Sequence, residues 1–292
     1  SWEMKSKWAY EHNEPQFVIS DDLREKTMDI IQDCEDDDCK MFRLLHWVAE
    51  EIRYLGLDMG EGEGHMVHRT DEIFHELAGV CKDKAAILVS MLRAAGFESY
   101  FVLTLAMEQT LDIPADDKFN HGVVAIRNED GSWTFLDPTW APQNRPLFNY
   151  SEQEQPVLVA APEGVDLKHV PYSPPEESPL NITAETSLNS DGSAEIVMFL
   201  ETDGWVDGRF RSFFNWAGKS YQQRFFQSLL EDIAPQGEVM GFEFSHPLDF
   251  DQPFQMKMRA SVPKAATVIG DKIYLNPLLT RHIWNSRWNS RY

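Results

Sequence analysis

The sequence predicts an α+β protein: helices first, packed on an antiparallel sheet, followed by a mostly β C-terminal domain that carries one long helix. Three observations predict it. Apolar residues recur at helical spacing between residues 21 and 95. Short strand-like runs separated by turn residues follow between 99 and 137, and a proline-rich stretch then divides the chain. With 292 residues there is room for two domains.

Composition narrows the functional classes. A net charge of −22 argues against a nucleic-acid backbone or an anionic membrane surface as partner. Hydrophobic residues make up 42%, and no uninterrupted apolar stretch is long enough for a membrane span, so no transmembrane segment is expected. The chain starts at Ser1 without a charged and then apolar leader, and reads as a mature or excised piece of a longer protein.

Residues 1–20 hold Trp2, Trp8, Tyr10 and Phe17 without clean periodicity, and read as a strap or the tail of an upstream domain. Asp21 and Asp22 can cap a helix running to about Asp33, with Leu23, Met28, Ile30 and Ile31 apolar. The acidic run Asp33 to Asp38 lacks the glycine and the closing glutamate of a calcium loop, so a solvated helix–helix turn is the expectation. Cys34 and Cys39 within it either close a small disulfide loop, which implies an oxidising compartment, or stay as free thiols. Met41 to Tyr54 reads as a second helix, with Leu44, Leu45, Trp47, Val48 and Ile52 on its core side.

Gly56 to Gly64 is a loop whose interleaved carboxylates would repel phosphate. His65 and His68, with Asp71, Glu72 and His75 nearby, make the best metal candidate in the chain. Thr70 followed by Asp71 and Glu72 reads equally as a capped helical turn over 71–78, and this metal-free reading is preferred.

The stretch Gly79-Val80-Cys81-Lys82-Asp83-Lys84 opens a helix marked by Ala85, Leu88, Val89, Leu92 and Ala95, with Gly96 as its stop. Cys81 therefore sits in or just before the first turn. There the unpaired N–H groups and the positive end of the helix dipole favour a thiolate. Ser99 to Leu105 is a buried strand, 106–119 a loop long enough to line a cleft, and His121 to Ile126 another strand. Asn128-Glu129-Asp130-Gly131 signals a hairpin, and Ser132 to Asp137 is the return strand, halted by Pro138. A turn centred between Glu129 and Asp130 sets His121 opposite residue 138, within one residue of Asp137. A bulge at Gly131 would put both side chains on one face. An aspartate there can hold one imidazole nitrogen and leave the other for a thiol. Cys81, His121 and Asp137 are the candidate catalytic residues.

Residues 156–179, with Pro162, Pro171, Pro174, Pro175 and Pro179, read as an extended linker. Beyond it come strands over 180–188, 194–201, 239–244, 254–262 and 267–275, interrupted by one helix over about 207–233 whose aromatics read as core. Asn181-Ile182-Thr183 matches a glycosylation acceptor.

The motifs Gly79-Val80-Cys81-Lys82-Asp83-Lys84-Ala85, Phe119-Asn120-His121 and Trp133-Thr134-Phe135-Leu136-Asp137-Pro138-Thr139, in that order, resemble the transglutaminase-like superfamily, and most of all its secreted bacterial members. The core resemblance covers about 20–150, with residues 180–292 similar to the β-rich domain that follows the core in such proteins. It implies a papain-like core at 21–155 with Cys81 as nucleophile, His121 as base and Asp137 as orienting group. It also implies a periplasmic or secreted protein with an upstream domain. Val80 stands where the family usually has an aspartate.

Attack of the Cys81 thiolate on an amide of a protein or peptide would give a thioester, which water or an amine then resolves. The Cys81 amide is one expected oxyanion donor; for the second, Trp47, His65 and His68 are candidates by position only. No cofactor and no metal are expected. The alternative is an inactive scaffold that binds a peptide or glycan.

Overall fold

The computed structural model describes residues 1–56, 64, 66–105, 119–139, 152–250 and 252–275. His65, residues 106–118 of the expected loop at 106–119 and residues 57–63 of the glycine-rich loop at 56–64 lie outside them. The chain divides into two compact units, Ser1–Pro174 and Pro175–Tyr292.

The first unit is built around one helix. α1 (Trp2–Asn13), α2 (Asp21–Ile31), α3 (Asp37–Glu51) and the short α4 (Thr70–Glu76) precede α5 (Cys81–Ala94), whose residues 82–92 are all buried. Burying charged Lys84 there needs partners, and its Nζ donates to the carbonyls of Ala49 (2.8 Å) and Ile52 (2.9 Å) at the end of α3. Two residues each of β1 (Arg53–Tyr54) and β2 (Ala78–Gly79) pair in parallel just before α5.

Behind α5 stands an antiparallel sheet of β3 (Ser99–Thr104), β4 (His121–Arg127), β5 (Trp133–Leu136), β6 (Pro156–Val159) and β7 (Lys168–His169), in the order β5-β4-β3-β6-β7. Strand alternation splits its side chains between two cores. Phe101, Leu103, Val124, Ile126 and Leu158 join the helices, while Tyr100, Val102, Val123, Ala125, Val157 and Val159 form the opposite layer. Both faces being covered, all six residues of β3 are buried, which is why it reads as a continuous apolar run.

Several boundaries differ from the expectation. Ser20, not Asp21, is the N-cap of α2, with Oγ 3.4 Å from the Leu23 N–H. α3 starts at Asp37 because the Asp36 carboxylate takes the Cys39 N–H at 2.8 Å, so Asp37 and Asp38 of the expected acidic turn are helix. Residues 53–54 form a strand, not the end of that helix. Residues 2–13 form a helix held to the sheet by Ser6, whose Oγ donates to the Val159 carbonyl.

The expected linker over 156–179 is corrected as well. Pro156 is the first residue of β6, where the missing N–H costs little, and Val157, Leu158 and Val159 are fully buried against β3.

The second unit has a four-stranded antiparallel sheet, order β10-β11-β9-β8, from β8 (Leu180–Leu188), β9 (Ala194–Thr202), β10 (Glu238–Phe244) and β11 (Phe254–Val262). A hairpin of β12 (Ala266–Ile269) and β13 (Lys272–Leu275) follows. The single helix expected over 207–233 is two, α6 (Gly204–Trp216) and α7 (Lys219–Ile233), because Ala217 is extended and Gly218 caps the second. Their phenylalanines form the core with Ile196, Met198, Leu200, Met256 and Met258. Buried Arg211 pairs with Asp207 and donates to the Pro247, Asp249 and Gln252 carbonyls.

Candidate active site

Three short pieces of backbone meet at Cys81: the β1–β2 pair, the first turn of α5 and the start of β4. The turn into α5 is tight. A Cβ at Gly79 would lie 2.5 Å from the Asp83 Cβ, so only glycine fits. Asp83 reaches back to accept the Val80 N–H at 3.0 Å, and its other oxygen accepts the His68 N–H at 3.2 Å and faces the His68 Nδ1 at 2.9 Å. Val80 offers no side-chain acceptor at the N-cap, and with the Asp83 N–H on the Val80 carbonyl at 3.1 Å, the N–H groups of Cys81 and Lys82 are left to the site. β4 also comes close, since a Cβ at Gly122 would lie 3.0 Å from the Lys82 Cα. The N–H groups of Gly122 and Lys82 are consequently hydrogen-bond donors to Cys81.

His121, at the start of β4, is hydrogen-bonded to the Cys81 thiol. Its Nε2 lies 2.8 Å from Asp137 Oδ2, 3.3 Å from Thr139 Oγ1 and 3.4 Å from Glu152 Oε1, which leaves Nδ1 for the sulfur. Asp137 Oδ1 accepts from the Thr139 amide (2.8 Å) and hydroxyl (2.6 Å), and Glu152 is fully buried. The described residues bring Cys81, His121 and Asp137 together.

The route to that geometry differs from the expected register. The loop is three residues long, closed by Asn128 N–H to Ser132 O and Gly131 N–H to Asn128 O, both 2.9 Å, with Gly131 at φ +82°. Val124 pairs with Leu136 and Arg127 with Trp133. Extended beyond the strand, this register sets His121 opposite Thr139 rather than Asp137. Asp137 lies two positions short of it and so on the same face.

Electrostatics follow from the contacts. Burial works against charge on the His121 ring, but the Asp137 charge and hydrogen bond, the Cys81 contact and the Glu152 charge outweigh it and push the imidazole up to about 11. Burial likewise opposes a Cys81 thiolate, and the hydrogen bond and charge of His121 with the two amides overcome it and lower the thiol. Asp137 is held below the usual carboxylate range by His121 and Thr139 despite its burial. These contacts favour an imidazolium between a thiolate and carboxylates, an arrangement that can attack an electrophilic carbon and return a proton to a leaving group.

The other sequence candidates fall elsewhere. Cys34 and Cys39 are disulfide-bonded, and Cys81 is free. Of the metal alternative, His65 lies outside the described residues; among those described, His68 is on Asp83, His75 Nε2 lies 3.4 Å from Asp22, and Asp71 and Glu72 both face Arg69. His121, Asp137 and Glu152 have donor atoms within 4.8 Å of one another, close enough for a metal, but the two carboxylates are accounted for by the imidazolium between them. Trp47 packs into the core against Phe74, 6.0 Å between rings.

Tyr54 and Glu152 are site residues that carry no signal of their own in the sequence, whereas Thr139 closes the third motif without any role being expected of it. A cavity of about 300 Å³ opens at the sulfur, lined by Tyr54, Cys81, Leu103, Phe119, Asn120 and His121 among others. A larger concavity of about 550 Å³ in the second unit, beside Phe199 and Lys257, contains no nucleophile paired with a base.

Residues 24–138 match the family model of the transglutaminase-like superfamily. No curated protein matches the chain. Among solved structures, a candidate cysteine protease from Cytophaga hutchinsonii is 20% identical over 43% of this chain and 41% of its own, with a TM-score of 0.33. A candidate protease from Parabacteroides distasonis is 11% identical over 89% of this chain and 53% of its own, with a TM-score of 0.43. The chain thus spans about half or less of the length of either.

Proposed function

We propose, from the match of residues 24–138 to the transglutaminase-like model, that the protein is a cysteine enzyme acting on amide bonds of proteins or peptides, with Cys81 as nucleophile, His121 as acid and base, and Asp137 orienting the ring. The observation that carries this reading is the His121 imidazole held between the Cys81 thiol and the buried Asp137 carboxylate. Sulfur attacks the amide carbon, the His121 proton goes to the departing amine, and a thioester on Cys81 remains. Water resolving it makes the protein a peptidase or amidase; a lysine amine makes it a transglutaminase. The Cys34–Cys39 disulfide fits a periplasmic or secreted location, where thiols oxidise and persist as bridges.

The test is the pH dependence of Cys81 alkylation by iodoacetamide. The thiolate reacts, and an ordinary thiol supplies little of it below its pKa of about 8.5. Wild-type Cys81 is expected to react rapidly at pH 6. His121→Ala removes the counter-charge and is expected to slow that reaction by about tenfold or more, the loss of thiolate being offset in part by its higher nucleophilicity. Asp137→Asn gives an intermediate rate. A wild-type rate that rises only near pH 8.5, indifferent to both substitutions, removes the enzyme reading and leaves a scaffold that binds a peptide or glycan without cleaving it.

A further inference from the structure

A tetrahedral intermediate on Cys81 needs two hydrogen-bond donors for its oxygen. The Cys81 amide, at the N-terminus of α5, supplies one. Neither Trp47 nor His68 lines the cavity at the sulfur, but Tyr54 does. Its place is set by main-chain bonds: Arg53 N–H donates to Leu77 O at 2.9 Å and Leu55 N–H to Gly79 O at 3.0 Å. Tyr54 is thereby paired with Gly79, two residues before the cysteine. Its phenolic oxygen is hydrogen-bonded to the Cys81 side chain and also to the Cys81 backbone. The ring is about half exposed (52%), at the edge that an incoming acyl group would cover.

We propose that the Tyr54 hydroxyl is the second oxyanion donor, acting with the Cys81 N–H on the carbonyl oxygen of the substrate. The proposal rests on the reading of Cys81 as an acyl-accepting nucleophile. When the thiolate attacks, the C–S bond forms and the carbonyl π pair moves onto oxygen. Negative charge leaves the sulfur and appears on that oxygen. A phenol already between the sulfur and the first-turn amide needs only a rotation about its C–O bond to follow the charge. The arriving oxygen takes the Cys81 N–H that rests against the tyrosine. Collapse restores the C=O bond and breaks the bond to the leaving group, which His121 protonates when it is an amine. Tyr54 never gives up its proton. Burial and the neighbouring Cys81 charge raise its pKa, so it stays a donor through neutral pH.

Two reactions of the same sulfur separate this role from its rivals. Acylation by p-nitrophenyl acetate passes through an oxyanion; alkylation by iodoacetamide, a displacement at a saturated carbon, does not. Both are to be measured on the full chain, in wild type and Tyr54→Phe. The expected result is acylation slower by about 10²-fold, the usual cost of one oxyanion donor, with alkylation within about threefold of wild type. Intact alkylation also reports that the variant is folded with its ion pair in place. Unchanged acylation overturns the proposal. So does an equal fall in both reactions, which would put Tyr54 on the resting thiolate alone. Wild-type protein that is not acylated at Cys81 in a His121-dependent way overturns the enzyme reading itself, and this inference with it.

Discussion

Two carboxylates share one imidazole nitrogen at this site. Asp137 Oδ2 stands 2.8 Å from His121 Nε2 and Glu152 Oε1 3.4 Å from it, both groups buried. A second negative charge favours the protonated ring. Against burial, which lowers it, this charge joins Asp137 and Cys81 in holding His121 near 11. The other charged groups around the ring are Cys81 itself, with Tyr54 against its sulfur, and Lys84, which is close enough to Asp137 to feel its charge. Glu152→Gln keeps shape and removes charge. His121 is expected to lose its proton at a lower pH than in wild type, followed by NMR titration of the ring. Stability shifts in the same sense. A histidine with a raised folded pKa contributes stability that is full below about 6.5 and lost as pH rises toward 11. The variant should therefore lose stability at neutral pH and little at pH 10–11. An unmoved titration means that Glu152 carries no charge at the ring. Nothing in Ser151-Glu152-Gln153 marks this residue in the sequence, because its role comes only from where the chain returns after β5. Cys81, His121 and Asp137 were legible because each has a local cue: a helix start, a strand start and a strand end halted by proline.

At the scale of elements, the β4–β5 hairpin decides whether His121 and Asp137 meet. A two-residue turn would set His121 opposite residue 138 and put Asp137 on the other face of the sheet. Gly131, at φ +82°, adds the one residue that restores parity. The spacing of His121 and Asp137 requires a bulge there but leaves its direction open, since either direction gives the same face. Gly131→Val places a β-branched residue in a left-handed conformation and is expected to cost about 1–2 kcal/mol in a denaturant titration. Cys81 alkylation at pH 6 should slow with it as the pair loosens. Gly131→Asn, which tolerates that conformation, should lose clearly less of both. Equal effects of the two substitutions would show that the turn does not hold the register. The elements misread from sequence share a cause in local chemistry. Asp36 as a cap turns an acidic loop into the first turn of α3, and Ala217-Gly218 breaks an aromatic run into two helices. Neither is visible in hydrophobic spacing alone.

At the scale of the molecule, the dividing line between the two units follows from which strands complete which core. The proline count put the end of the first domain at 155, but Val157, Leu158 and Val159 are buried in its sheet, and β6 pairs with β3 at Val102, Leu103 and Thr104. Ser6 in α1 caps that strand through the Val159 carbonyl, and Tyr10 packs on Tyr100. Every group described around Cys81 lies within Ser1–Pro174, and the core of the second unit draws on none of these residues. Two fragments test this. Residues 1–174 should fold alone and alkylate at Cys81 within about threefold of the full chain at pH 6. Residues 21–155 lack β6 and α1. Burying the Val157, Leu158 and Val159 side chains is worth about 1.5–3 kcal/mol each, so their loss alone matches much of the roughly 5–15 kcal/mol that a domain has in total. That fragment should lack a cooperative unfolding transition and the reactive thiol. If 1–174 folds but its thiol reacts only near pH 8.5 while the full chain reacts at pH 6, residues beyond 174 are needed to form the ion pair. If 21–155 folds and reacts like the full chain, the sheet closes without β6, and the boundary drawn from composition was the right one.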